Sequence, residues 1–118
     1  MPHIIIEGPA SVESFYRDFT PVNIREQNTI LKIEEAYLST DRMNVLLDCV
    51  VVEDRNLITF YLHVAQKEGK ITVHIDSMTD PEKTDGVKRL IAFVGHKLKA
   101  QNPACRYGQT NLAEYLRE

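Results

Sequence analysis

At 118 residues the chain has the length of one domain, spanning 1–118, and can bury a core without metal or disulfide staples. Its 43% hydrophobic and 26% charged residues are ordinary for a globular protein, and no apolar run reaches transmembrane length, so no membrane role is expected. A formal charge of −3 argues against bulk affinity for nucleic acid, and two cysteines are too few for a disulfide framework.

The first element is a strand over residues 3–7 (HIIIE), stopped by Gly8-Pro9. Ser11 is placed to N-cap a helix over residues 12–19, with Val12, Phe15, Tyr16 and Phe19 at helical spacing. Thr20-Pro21 ends that helix, and residues 22–28 read as loop or one further turn.

Four strands then follow as a meander. Residues 30–39, 43–53, 57–67 and 70–77 are rich in β-branched and aromatic side chains. A two-residue turn at Glu68-Gly69 sets Lys67 opposite Lys70, and one at Asp54-Arg55 sets Glu53 opposite Asn56. Those registers put Val45–Val64–Val73, Leu47–Leu62–Ile75, Cys49–Phe60 and Val51–Ile58 on one apolar face, where Cys49 is a buried reduced thiol. The opposite face carries Leu46–His63–His74, Asp48–Tyr61–Asp76 and Val50–Thr59. A three-residue loop at Thr40-Asp41-Arg42 would set Tyr37 opposite Val45, on the apolar face, and Glu34 opposite Asp48, on the second face.

After Ser77 the period changes. Asp80 with Pro81 at the first helical position, or Thr79 with Glu82 three residues on, would start a helix striped by Val87, Leu90, Ile91, Val94 and Leu98. Gly95 lies on that stripe, where a missing side chain allows close approach to the sheet, and Lys88, Arg89, Lys97 and Lys99 form a solvated basic side. Asn102-Pro103 stops the helix, and residues 110–116 read as a short terminal helix docked by Leu112, Tyr115 and Leu116. The expected class is therefore α+β, an antiparallel meander with helices packed on one face, in the order β-α-β-β-β-β-α-α.

The second sheet face is too apolar for one turned wholly to water, because Leu46, Val50, Val52 and Leu57 stand among its polar groups. It points to a binding or self-associating surface built on Tyr61, His63, His74, Asp48, Asp76 and Glu34, with a second copy, a protein partner or a small-molecule ligand as occupant. Directly opposed imidazoles at His63 and His74 could also share a metal or relay a proton beside those carboxylates, which makes a metal-dependent enzyme a third reading. No local metal-ligand spacing or cofactor motif accompanies them.

The opening Met1-Pro2-His3-Ile4-Ile5-Ile6-Glu7 resembles that of the tautomerase superfamily, in particular its carboxymethyl-hydroxymuconate isomerase-like branch. The resemblance covers seven residues. It implies loss of Met1 and an isomerase in which the secondary amine of Pro2 is the general base, with an arginine holding the substrate carboxylate. The composition and the absence of a leader-like start fit a cytoplasmic protein.

Overall fold

In the computed structural model, residues 1–116 are described. They form a seven-stranded, wholly antiparallel sheet with both helices on one face. The elements are β1 (His3–Glu7), α1 (Val12–Arg17), β2 (Val22–Glu26), β3 (Thr29–Leu38), β4 (Asn44–Glu53), β5 (Asn56–Lys67), β6 (Lys70–Ile75), α2 (Asp85–Lys99) and β7 (Arg106–Thr110). A single 3-10 turn, Ala113–Tyr115, follows. The strands lie in the order β2-β3-β4-β5-β6-β1-β7, so the first strand of the chain is inserted between β6 and β7.

The α+β class and the central meander match expectation. Val45 pairs Val64 and Val64 pairs Val73, Leu47 pairs Leu62 and Leu62 pairs Ile75, and Cys49 pairs Phe60. Both hairpin turns hold two residues at positive φ: Asp54 (48°) with Arg55 (72°), and Glu68 (53°) with Gly69 (78°). That backbone twists with the strands it joins, which fixes the register. The apolar rows are sealed by α2, whose Val87, Leu90, Ile91, Val94 and Leu98 are all buried. Gly95 makes the approach possible, since a Cβ there would stand 3.0 Å from Ile4 Cδ1.

Several expectations change. Residues 22–26 are a strand rather than loop, pairing Val22 with Ile33 and Ile24 with Leu31. Two alternating apolar residues after a proline are too short a signal to declare a strand, and the pairing comes from β3. Residues 106–110 form a second additional strand, just ahead of the short helix expected over 110–116; RYGQT has little β pattern of its own and borrows its order from β1. The terminal helix is reduced to one 3-10 turn.

The long helix begins at Asp85, capped by Thr84, whose hydroxyl accepts from Val87 N–H at 3.3 Å. Asp80 is instead engaged by Lys83, and Thr79 by Asp76 and Tyr61, so neither is free to cap. The β3–β4 register differs by one residue from expectation. A bulge between Ile33 and Glu35 sets Glu35 opposite Asp48, Tyr37 opposite Leu46 and Leu38 opposite Val45. The extra residue keeps Leu31 and Ile33 in the core while turning Tyr37, 53% exposed, to the other face. The first helix is also shorter than expected, ending at Arg17, and Tyr16 is exposed rather than packed on the sheet.

Candidate functional site

The face of the sheet opposite the helices carries the candidate site. Alternation along each strand lifts every second side chain onto it, and the register aligns them in rows across the strands. One row runs Tyr37–Leu46–His63–His74–His3 over β3, β4, β5, β6 and β1. The next runs Glu35–Asp48–Tyr61, with Asp76 immediately beyond β6, where its N–H donates to Tyr61 O at 2.8 Å. Lys32–Val50–Thr59 and Arg25–Ile30–Val52–Leu57 complete the far end. Leu57 is 68% exposed and Tyr61 37%.

The expected pair is present. His63 and His74 are register partners whose ring centroids lie 4.9 Å apart, edge to face. Each ring spends one nitrogen locally: His63 Nε2 bonds Asn44 Oδ1 at 2.8 Å and His74 Nδ1 bonds the Ile75 carbonyl at 2.9 Å. With oxygen as acceptor in both, these nitrogens carry the proton in the neutral rings, and the second nitrogens are left as lone pairs. Partial burial holds His63 below the usual imidazole range, the His74 charge adds to that, and Asp76 opposes it. His63, Asn44, Leu46, Tyr37 and Asp76 line an open depression of about 410 Å³.

Of the other expected residues, Asp48 faces Tyr61 as read from the sequence. Glu34 is the extra residue of the bulge, and its neighbour Glu35 takes the position opposite Asp48. Loss of solvent around Tyr37, then the charges of Glu35 and Asp48, raise the Tyr37 phenol above its ordinary value. Pro2 is buried at the head of β1, immediately before His3; Met1 O accepts from Asn111 Nδ2 at 2.7 Å and from His3 Nδ1 at 3.0 Å.

Three members of the face were not legible as such: His3, Tyr37 and Glu35. His3 enters only because β1 pairs with β6, which nothing local in the sequence announces. Tyr37 and Glu35 had a signal, since Ala36 and Leu38 continue an apolar alternation out of phase with Leu31 and Ile33, the mark of a bulge. Chemically the face offers imidazoles, carboxylates and phenols. Among the described residues no three or more histidine, cysteine or acidic side chains are gathered as a metal-binding group. No helix of the described residues is long and apolar enough to cross a membrane. No family model, no curated protein and no solved structure matches this chain.

Proposed function

We propose that the protein is a binding module whose docking surface is the open face of its sheet, and that a second copy of the chain is its occupant. The observation that carries the reading is the exposure of Tyr37, Leu57 and Tyr61 on a face that no element of the described chain covers. Seven strands about 4.8 Å apart make a face roughly 29 Å wide, which supplies the ~800 Å² per partner of a standard stable interface. The face also carries both signs of charge, Glu35 and Asp48 on one side and Lys32 and Arg25 on the other. Two copies stacked about a twofold axis can lay the acidic row of one over the basic rows of the other, which is the self-complementarity an isologous contact needs.

Sedimentation velocity over a concentration series tests this. The wild type should sediment as a dimer of about 27 kDa, twice the 13.5 kDa chain, and Leu57→Lys combined with Tyr61→Lys should sediment as a folded monomer. A monomeric wild type at high concentration, or a double variant that still dimerises, would overturn the reading.

The alternative, an isomerase using the Pro2 amine, draws support from the burial of Pro2, since an amine shielded from water titrates nearer neutrality. It requires Met1 to be absent from the native chain. Intact mass of the native protein decides: a chain retaining Met1 has an amide at Pro2 and no base there.

A further inference from the structure

The second candidate surface lies on the opposite side of the sheet, among the helices. The helix α1 is only six residues long and is fastened by its start: Val12 N–H donates to Gln66 Oε1 and Ser11 N–H to Gln101 Oε1, both at 2.9 Å. Gln101 Nε2 returns a bond to the Ser11 carbonyl at 3.1 Å. The far end of α1 and the connection to β2 are not drawn down in the same way, and a cavity of about 400 Å³ remains between α1, β2 and the last turns of α2. That volume lies in the range of small-molecule sites.

Its floor is apolar. Ile33 and Val94 lie beneath it, 1% and 0% exposed. Its walls are three phenyl rings, Phe15, Phe19 and Phe93, all only partly buried. Three half-covered rings around one opening is an arrangement that water alone fills poorly, and an apolar body placed among them would complete their burial.

The rim is charged with both signs. Lys97 holds its ammonium 5.6 Å from the Phe93 ring centroid, and Asp18, the residue that ends α1, lines the same mouth. Neither makes an ion pair among the described residues, although other exposed charges of the chain do, such as Arg42 with Glu13 and Lys83 with Asp80. The two stand on one opening without closing it. An anion beside Lys97 and a cation beside Asp18 would each find a partner, over a body that meets the rings.

We propose that this cavity is a binding site for a small zwitterionic amphiphile, of which an apolar α-amino acid is the simplest member. The carboxylate meets Lys97, the ammonium meets Asp18, and the side chain enters between Phe15, Phe19 and Phe93. The site is on the helical side and does not depend on the sheet-face reading.

Three probes with one phenyl body separate the charges: L-phenylalanine, 3-phenylpropanoate and phenethylamine. Each is titrated to millimolar concentration into the full chain while amide ¹H–¹⁵N correlations are followed. L-Phenylalanine should shift the amides of Phe19, Val22, Phe93 and Lys97 and leave those of Tyr61 and His63 in place. Each singly charged analogue should bind roughly two- to five-fold more weakly, as for one exposed ion pair lost. Lys97→Gln should weaken L-phenylalanine and 3-phenylpropanoate but not phenethylamine, and Asp18→Asn should weaken L-phenylalanine and phenethylamine but not 3-phenylpropanoate. Both side chains are exposed, so an unchanged amide spectrum away from the cavity verifies that the variants fold. Absence of shifts at the cavity with L-phenylalanine, equal affinity for all three probes, or indifference to both substitutions would overturn the proposal.

Discussion

Leu62 and Tyr61 are neighbours on β5 whose side chains leave the sheet on opposite sides, and replacing each in turn measures the sorting on which the open-face reading stands. Leu62 is 0% exposed, flanked across the strands by Leu47 and Ile75 and covered by the helical layer. Its neighbours are held by sheet hydrogen bonds and cannot collapse into the space a truncation leaves, so Leu62→Ala should cost about 3–5 kcal/mol. Against a total of roughly 5–15 kcal/mol for a domain, that is a large share. At roughly 3–6 °C per kcal/mol for a chain of this size, the melting temperature should fall by on the order of 10–25 °C. Tyr61 is 37% exposed and borders open solvent in the isolated chain. Tyr61→Thr exchanges an aromatic strand former for a β-branched one and should cost less than about 1 kcal/mol. Urea unfolding of both variants at a concentration where the wild type is monomeric gives the comparison, read from the midpoint with the slope held common. Equal losses, or a larger loss at Tyr61, would show that the face carrying His63 and His74 is covered, and the docking surface would have to be abandoned.

Three further outcomes follow from the geometry. His63 should titrate below 6.5 by NMR of its imidazole, and His74→Gln should raise its midpoint by removing a neighbouring positive charge. Because the folded value lies below the unfolded one, the unfolded chain takes up this proton first. The stability His63 contributes is therefore complete above about pH 6.5 and is lost as pH falls through the folded value; a midpoint at or above 6.5 would contradict this. Gly86→Ala should destabilise by about 2–4 kcal/mol despite a helix-propensity gain of about 1 kcal/mol, because the new Cβ would lie 2.7 Å from the buried Val51 Cγ1 and 2.8 Å from Glu53 Cδ. It would also disturb the 3.0 Å bond from Gly86 N–H to Glu53 Oε2, and chemical denaturation showing a variant as stable as wild type would refute the account. Cys49 is fully buried and burial pushes its thiol up, so a disulfide reagent should modify it no faster than the chain unfolds; prompt labelling of Cys49 in the folded protein would refute its placement in the core.

The candidate site divides along the same line as the fold. The facing of His63 and His74, and of Asp48 and Tyr61, could be read directly, because two tight turns fix the register and a period-two pattern admits only one way to bury Leu62. An unbroken alternation along β3 would put Tyr37 in the core; one bulge residue, Glu34, inverts every side chain after it, and a bulge leaves only a change of phase in the sequence. His3 was out of reach altogether.

Local pattern alone determined the meander, the apolar stripe of α2 and the separation of greasy from titratable side chains, because these depend on turn geometry and on spacing within a few residues. Tertiary structure decided what has no local signature. It placed β1 between β6 and β7, ordered the edge strand β7 against β1 at the other end of the chain, made β2 a strand through its hairpin with β3, and started α2 at Asp85 because Glu53 and Thr84 satisfy its first turn. It also left a gap beside α1, where a six-residue helix cannot cover what the sheet offers. The edge strand β7 and the first turn of α2 are held by hydrogen bonds to β1 and Glu53, far along the sequence, and a short polar segment carries no mark of which partner it will find.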